Sequence, residues 1–314
     1  MGVVDGKTGE RVAKFGGVPR GQPGHVLRAS RSHFRDYMWQ HLNVSTGKEF
    51  THYTEDSTGV TAFFKDGTSA RGSLLVGADG SRSRVRAALL GEQASKAEVS
   101  NYIAVTGQGD LPRHVYEPVR ALGTAAILAN TPNMRCVFGL RSITPDKEFA
   151  TFYWILAYWT DEPEKDSAEL DTMTKEQLYA KAEELVAGWA KVLTDIVTHT
   201  GVEGVFAPPI KLLEYVPPDT LPGKYVTLLG DAAHAMIPFR GGGANTAIRD
   251  ACELANLIID AVKEEKPFGS VLKKYEEVML PRGQEMVLTS REAGRNWESF
   301  MRVVKNAGHV QPNK

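Results

Sequence analysis

The chain has 314 residues, of which 42% are hydrophobic and 24% are charged, a balance typical of globular domains and unlike disordered, collagen-like or coiled-coil proteins. Its 37 basic and 38 acidic residues leave a net charge of -1, so no overall field favours nucleic acid or an anionic membrane. Two cysteines without metal-ligand spacing indicate neither a disulfide framework nor a zinc site, and no apolar run is long enough to cross a bilayer. We therefore expect a soluble, cytoplasmic protein with one large domain or two intimate ones.

The sequence pattern of the first hundred residues predicts short strands, one helix and a β-meander. The helix is expected to start with Ser32 as its cap. Apolar residues follow at helical spacing, namely Phe34, Met38 and Leu42. Residues 49–76 are then expected to form the strands of the β-meander, with a hairpin turn at Asp66-Gly67.

The middle section differs in composition, and apolar and aromatic strands are expected there at 124–130, 134–140 and 149–159. The acidic segment 161–171 is expected to be a loop. A capping box at Thr174 to Gln177 then opens a helix to about 189. Its inner stripe is expected to comprise Leu178, Ala182, Leu185 and Val186.

The last section returns to a strand–loop–helix pattern. A short strand, 225–229, ends at Gly230-Asp231, and a glycine-rich loop at 241–243 leads into a helix over 245–264. More helix is expected to about residue 305. The predicted buried face of the helix over 245–264 comprises Ile248, Ala251, Leu254, Ala255, Ile258, Ala261 and Val262.

The strongest chemical signal is the run from Gly230 to Asn245, GDAAHAMIPFRGGGAN. Asp231 follows a buried strand, where its carboxylate can accept hydrogen bonds from ligand hydroxyls. Glycines let the backbone approach a planar or anionic group, and the helix start offers free N–H donors and positive potential. A lone glycine triplet is more often a tight turn, but its combination with Gly-Asp and Pro238 favours a ligand site.

A second motif, GADGSRSRVR, occupies residues 77–86 at the end of a strand. Asp79 in this turn can hold a ribose or can bond its own backbone. Arg86 can neutralise a phosphate, whereas Arg82 and Arg84 are more typical of a solvated face. A weaker third motif is RASRSHFR, residues 28–35, which places Arg31 near a helix start.

The order and spacing of the three motifs resemble the group A flavoprotein monooxygenases, which have the aromatic-hydroxylase fold. The resemblance covers the chain from about residue 3 and implies FAD and NAD(P)H as cofactors. It implies that Asp231 contacts the FAD ribityl chain, that Asp79 and Gly80 serve the pyrophosphate and NAD(P)H, and that Arg31 reaches toward the flavin. The positions implied around the isoalloxazine are Pro238, Gly241, Gly243, Ala244 and Asn245, with Asp250 as an acidic residue that often follows.

The resemblance also implies a mixed α/β fold: an incomplete Rossmann-like FAD domain (1–97 and 216–314, the latter with C-terminal helices) interrupted by a β-sheet substrate domain (98–215). The implied reaction hydroxylates or epoxidises an aromatic, polyketide or terpenoid small molecule through a flavin C4a-hydroperoxide. No nucleophile or metal cluster is required. Candidates for the substrate cavity are Tyr153, Trp154, Tyr158 and Phe239, although three aromatics on one strand are more often plain core.

The family's opening strand–GxGxxG–helix unit is not found in the sequence, since Gly107-Gln108-Gly109 and Gly16-Gly17 have the wrong pattern. Without it, strands of the doubly wound sheet would have unpaired edges. A second chain, a homodimer, or the N-terminal residues could supply the missing strands, or the sequence is a shortened version that starts at an internal Met. Two alternative functions therefore stay open: a non-redox cyclase or isomerase, and a non-catalytic partner of a full-length homologue.

Overall fold

The computed structural model describes residues 1–15, 29–123, 125–296 and 310–311. In chain order its strands are β1 (Gly2–Asp5), β2 (Arg11–Phe15), β3 (Phe50–Glu55), β4 (Val60–Phe64), β5 (Ser69–Gly72), β6 (Leu75–Gly77), β7 (Glu98–Val99), β8 (Tyr102–Pro112), β9 (Ala126–Thr131), β10 (Met134–Ile143), β11 (Phe149–Trp159), β12 (Leu213–Glu214), β13 (Val226–Leu228) and β14 (Val310–Gln311). Its α-helices are α1 (Arg31–Trp39), α2 (Arg84–Leu90), α3 (Arg113–Leu122), α4 (Pro163–Thr172), α5 (Lys175–Leu185), α6 (Lys191–Thr200), α7 (Asp231–His234), α8 (Gly243–Lys263) and α9 (Phe268–Arg295).

These elements fall into two compact units, each assembled from separate stretches of the chain. The first unit comprises Met1–Leu42, Asn101–Leu212 and Trp297–Lys314, and the second comprises Asn43–Ser100 and Leu213–Asn296. Strands β1 and β2 extend the sheet of the first unit, so the N-terminal segment lies with that sheet and not with the second unit. The predicted division at residues 97 and 215 stays a prediction about domains.

The first unit is built on a seven-stranded sheet with the order β14-β2-β1-β9-β10-β11-β8. β1 runs parallel to β9, and the other described neighbours are antiparallel. The strands predicted at 124–130, 134–140 and 149–159 are confirmed as β9, β10 and β11. β8 was not predicted, because glycines interrupt its apolar run; a Cβ at Gly107 would lie 2.4 Å from Cζ2 of Trp154, so the packed indole requires glycine there.

One face of this sheet packs against helices. Ile127, Phe138 and Trp154 are partners across three neighbouring strands and are fully buried, and residues paired in a ladder share one face. The Trp154 Nε1 donates a hydrogen bond of 3.0 Å to Oγ1 of Thr200 on α6. The helices therefore lie on the Trp154 side of the sheet, and Tyr153 points to the opposite side.

The acidic segment 161–171 is helical, so the predicted loop was wrong. α4 starts at Pro163, with Glu164 and Asp166 in its first turn. Proline at the first helical position and acidic residues near the helix N-terminus both favour a helix start. The capping box that opens α5 is confirmed, since the Thr174 and Gln177 side chains bond each other's backbone N–H groups.

Helix α1 starts two residues earlier than predicted. Its N-cap is Ser30, and Ser32 lies inside the helix instead of capping it. Leu42 lies beyond the last helical residue, Trp39, and α1 buries none of its residues. The predicted apolar stripe of this helix therefore does not pack into the core.

The second unit contains three small sheets and the long C-terminal helices. The β3-β4-β5 meander is confirmed; its turn closes with a 2.9 Å bond from Phe64 N–H to the Thr68 carbonyl, and Gly67 has a φ of 81°. β6 and β13 form a parallel pair, and β7 and β12 form an antiparallel pair. The core beneath them includes Val85, Leu89, Val226, Leu228, Leu254, Leu272, Tyr275 and Met279.

Helix α8 has the predicted position but buries a different face. Its buried residues are Thr246, Asp250, Leu254 and Ala261. Among the residues predicted to face the core, four are exposed: Ile248, Ala251, Ala255 and Val262. The reason is a polar network around Asp250, which turns this carboxylate inward.

Candidate functional site

The turn between β13 and α7 places Asp231 at the end of a buried strand. Gly230 has a φ of 58°, and a Cβ there would lie 2.9 Å from Cβ of Ala247, so glycine is required by both conformation and space. The Asp231 carboxylate is exposed and makes no hydrogen bond or ion pair with the described residues. It is therefore available to an external hydrogen-bond donor.

The glycine-rich loop then delivers the N-terminus of α8 beside Asp231. A Cβ at Gly243 would lie 4.0 Å from Oδ1 of Asp231, and one at Gly241 would meet no atom within that distance. No side chain caps the helix, and its first turn holds no acidic residue. The first N–H groups of this 21-residue helix are therefore free donors with positive potential.

The loop before α8 is anchored on α9. Residues Pro238–Arg240 form a short 3-10 turn, and Nη1 of Arg240 donates to Oγ1 of Thr289. A Cβ at Gly242 would lie 2.4 Å from Cε of Met286, so the loop backbone sits directly on the α9 side chain. These contacts fix the path of the chain into α8.

A buried polar network supports the same turn from below. Asp250 on α8 accepts a hydrogen bond of 3.0 Å from the Gly230 N–H and one of 2.6 Å from Nε2 of His234. It also forms an ion pair with Arg282 on α9, with a distance of 2.9 Å between Oδ1 and Nη2. Burial alone would raise the pKa of Asp250, but the hydrogen bonds and charges of His234 and Arg282 outweigh it and lower that pKa. Asp250 is therefore a buried carboxylate that holds the Gly230 turn.

Arg86 joins the two sequence motifs through the core of the second unit. Its guanidinium donates to the carbonyls of Ser81 (2.6 Å), Ser95 (2.9 Å) and Ala232 (2.8 Å), and lies 4.1 Å from the ring centroid of Tyr215. The side chain is fully buried. The prediction that Arg86 neutralises a phosphate is therefore wrong: its donors are used inside the protein.

Asp79 uses its carboxylate within its own loop. Oδ1 accepts from Oγ of Ser83 at 2.5 Å, and Oδ2 accepts from the N–H of Arg84 at 2.7 Å and of Val85 at 3.2 Å. This is the self-bonded turn that the sequence left open as an alternative, and it caps α2. Gly80 follows with a φ of 82°. Ribose or pyrophosphate binding at Asp79 and Gly80 stays a prediction.

The other predicted cofactor and pocket residues are dispersed. Arg31 is exposed on α1 of the first unit, and Phe239 is half-buried in the turn before α8 of the second unit. Tyr153 is half-buried on one face of the seven-stranded sheet, whereas Trp154 is fully buried on the other. Tyr158 also faces the helices, with Nζ of Lys181 5.7 Å from its ring centroid. The structure thus separates Trp154 and Tyr158 from Tyr153.

Metal and membrane features are lacking in the part of the chain that the structure describes. No group of three or more His, Cys, Asp or Glu residues there could hold a metal ion. None of the described helices is both long enough and apolar enough to cross a bilayer.

An exposed Asp at the end of a parallel strand, followed by a glycine loop and an uncapped helix, is an arrangement that suits a nucleotide-type ligand. The sequence matches the family model "FAD binding domain" over residues 22–203 and 219–290. The chain therefore belongs to this family, that of the group A flavoprotein monooxygenases.

Two relatives define what the chain is similar to. An FAD-dependent monooxygenase of Trichoderma harzianum is 32% identical over 277 residues, which cover 85% of this chain and 67% of the relative. A salicylate hydroxylase of Pseudomonas putida is 29% identical over 279 residues, covering 85% of this chain and 62% of the relative. The chain thus spans about two thirds of the length of these relatives. Their names favour the monooxygenase reading over the two alternatives.

The fold agrees with that assignment. HpxO of Klebsiella pneumoniae, crystallised with FAD and uric acid, superposes with a TM-score of 0.76 at 23% identity, covering 98% of this chain and 74% of the other. This similarity confirms the mixed α/β class and the hydroxylase-type fold.

The residues of the second unit fit an FAD group. Asp231 offers a carboxylate that no described residue bonds, α8 offers uncapped N–H donors, and Gly241 leaves open space beside its backbone. Sequence reasoning found these residues by their motif. It missed the buried contacts of Arg86 and Asp250. The signal that could have revealed them is a charged residue at a core-facing position of a helix.

Proposed function

We propose that the chain binds FAD at residues 230–245 and, with NAD(P)H as reductant, hydroxylates or epoxidises an aromatic or secondary-metabolite small molecule. The observation that carries this proposal is the exposed Asp231 carboxylate, which has no partner in the described part of the chain, next to the uncapped N-terminus of α8. The names of the relatives support the reaction class. A cytoplasmic location and self-association are further predictions of the same proposal.

Bound FAD would supply hydride acceptance from the nicotinamide and activation of O₂. Asp231 would accept hydrogen bonds from ribityl hydroxyls, and the N–H groups at Gly243, Ala244 and Asn245 would donate to electron-rich atoms of the cofactor. Pro238 and Gly241 would shape the loop beside the ring. The predicted set is completed by Arg31, Asp79 and Gly80.

The inserted sheet of the first unit would serve as the substrate domain. Tyr153 is our candidate for contact with an aromatic substrate, because it lies on the sheet face opposite the helices. Phe239 stays a candidate beside the flavin loop. Reactions on aromatic compounds are consistent with the salicylate hydroxylase relative.

The test is FAD binding by Asp231→Asn, measured by flavin fluorescence quenching on the purified chain. Because this carboxylate has no partner among the described residues, we expect unchanged stability. Loss of charge-assisted hydrogen bonds should raise the Kd for FAD about tenfold to a hundredfold. The matched control is Asp260→Asn, an exposed aspartate on α8, which should bind as the wild type does. Equal FAD affinity of the Asp231 variant and the wild type would contradict the proposal.

A further inference from the structure

Helix α8 carries an apolar seam on the side opposite its buried residues. Along the helix, apolar residues recur at alternating steps of four and three residues, namely Ile248, Cys252, Ala255, Ile259 and Val262. All five are exposed, Ile248 at 49%, Ile259 at 50% and Val262 at 63%. Alternating steps of four and three are the heptad spacing that lines up side chains for packing between two helices. The helix is therefore suited to apolar packing on both of its sides.

Charged residues do not interrupt this seam. The exposed charged residues of α8 are Arg249, Asp260 and Lys263, and at 100° per residue all three fall on one flank of the seam. Single exposed apolar side chains are common on protein surfaces, whereas a continuous apolar row with a polar rim marks an interaction surface. The α8 seam thus has the character of a helix–helix contact.

A second copy of the same helix fits the seam when two α8 helices run antiparallel. When Ile248 packs against the partner's Ile259, the next layer pairs Cys252 with the partner's Ala255, and a two-fold axis repeats both pairs. The same surface then serves both copies, as in most symmetric dimers. Small side chains in the two central layers let the helix axes approach to about 8 Å. The larger isoleucines close the seam at each end.

The flanking charges complement each other in this register. Arg249 follows Ile248 and Asp260 follows Ile259, so the same pairing brings Arg249 within one helical turn of the partner's Asp260, and symmetry repeats the contact. Nε of Arg249 donates a 2.7 Å hydrogen bond to Glu253 of its own helix. Its two Nη groups, and the Asp260 carboxylate, make no hydrogen bond with the described residues. Both charges are therefore available to a partner.

Other arrangements of two α8 helices lack this complementarity. With Ile259 packed against the partner's Ala255, Arg249 would lie beside the partner's Lys263, which has the same charge. In a parallel pair the two charged flanks would lie on opposite sides of the dimer, where they could not meet. Charge complementarity therefore selects a second copy in one antiparallel register.

We propose that two copies of this chain associate through antiparallel α8 seams, with Arg249 of each copy beside the partner's Asp260. The seam from Ile248 to Ile259 spans about 17 Å of helix. A contact of this length buries less than the roughly 800 Å² per partner of a standard interface, so the association is weak and reversible. The inference specifies the self-association predicted with the proposed function, and it does not require bound FAD.

The test is sedimentation velocity of the full chain from about 1 to about 100 µM, where a dimer with a micromolar Kd forms. Ile259→Asp places a carboxylate in both end layers and should weaken the dimer at least about a hundredfold. The matched control is Val278→Asp, which changes a 51% exposed apolar residue of α9 and should leave the dimer intact. Circular dichroism establishes that both variants are folded.

Charge reversal tests the register. Arg249→Glu and Asp260→Arg should each weaken the dimer about tenfold, because each turns two attractive pairs into repulsive ones. A mixture of these two variants should recover the wild-type affinity, since every cross-pair then joins opposite charges again. Removal of a single rim charge, as in Asp260→Asn, should change the affinity little.

The cysteines provide a second readout of the same contact. Cys136 is buried and Cys252 is exposed. In the proposed register the two copies of Cys252 lie within about 10 Å of each other, because packed helix axes are about 8–10 Å apart. A short bis-maleimide should therefore link two copies of the wild type, and Ile259→Asp should abolish the link.

Three results would each overturn the proposal: a chain that stays monomeric at about 100 µM, a dimer that Ile259→Asp leaves unchanged, or charge-reversal variants that the mixture does not rescue. A monomeric chain would leave the seam to a different polypeptide. Flavin fluorescence on the same samples measures FAD binding separately. FAD binding by a monomer would contradict this inference alone, whereas a dimer without FAD binding would contradict only the proposed function.

Discussion

At the scale of single residues, Glu276 on α9 is a carboxyl group whose surroundings oppose its ionisation. Burial raises the pKa of Glu276 to about 7. Its Oε1 is buried, and the Thr227 side chain on β13, which acts to lower the pKa, does not outweigh the burial. The folded state therefore holds the proton of Glu276 more tightly than the unfolded chain does.

This raised pKa predicts a pH dependence of stability. The contribution of neutral Glu276 is fully present below its unfolded pKa and is lost as the pH rises from about 4.5 to about 7. We expect Glu276→Gln to remove this loss. Between pH 5 and pH 8 the free energy of unfolding should fall less for the variant than for the wild type, and the two decreases should differ by roughly 1–3 kcal/mol. Urea unfolding at both pH values measures it. An equal decrease in the free energy of unfolding for variant and wild type would contradict the prediction. The control is Glu277→Gln, at the exposed neighbouring position.

Arg86 and Asp79 show how far a motif predicts individual roles. The spacing correctly indicated a turn followed by a helix. It did not indicate that carbonyls of Ser81, Ser95 and Ala232 converge on the Arg86 guanidinium. Such convergence involves residues up to 146 positions apart, and no local pattern encodes it.

At the scale of elements, α8 combines an uncapped N-terminus with a buried ionic face. Its sequence has apolar residues on more than one side, so helical periodicity allowed several choices of buried face. The contacts of Asp250 with Gly230, His234 and Arg282 decide among them. Pairing of the carboxylate in the interior outweighs the exposure of Ile248 and Val262.

We predict that Asp250→Asn destabilises the second unit at neutral pH by about 3 kcal/mol, because it leaves Arg282 and the Gly230 turn without their buried anion. Since the pKa of Asp250 is lowered, its contribution is present above the unfolded value and is lost as the pH falls through the folded value. The difference between variant and wild type should therefore shrink in acid.

Urea unfolding at neutral pH, and at the lowest pH at which the wild type stays folded, measures this difference. Asp260→Asn, which changes an exposed residue of the same helix, should leave stability unchanged. A difference that grows as the pH falls would count against the ionised state of Asp250.

At the scale of the whole molecule, the candidate cofactor loop lies in the second unit, and the sheet that we propose as the substrate domain lies in the first. Four of the five tryptophans, Trp39, Trp154, Trp159 and Trp189, belong to the first unit. Tryptophan fluorescence therefore follows unfolding of the first unit, while far-UV circular dichroism also follows α8 and α9.

Because a ligand that binds only the folded state stabilises it, FAD at 100 times its Kd should add about 2.7 kcal/mol to the free energy of unfolding. We expect this added stability to appear as a shift of the unfolding transition that circular dichroism follows. At the same FAD concentration, Asp231→Asn should shift much less. A shift confined to the tryptophan signal would place the FAD site outside the second unit and refute the assignment.

The sequence by itself determined the strands β9 to β11, the meander, the α5 capping box and the strand–loop–helix connection over 230–245, because these depend on local spacing, turn chemistry and helix capping. Tertiary structure decided which face of α8 is buried, which carbonyls Arg86 bonds, and that helices cover the Trp154 face of the seven-stranded sheet. It also brought Arg141 to Gln108 across an intervening strand. These features depend on contacts between distant segments, whose desolvation and pairing energies exceed the local preferences that a sequence displays.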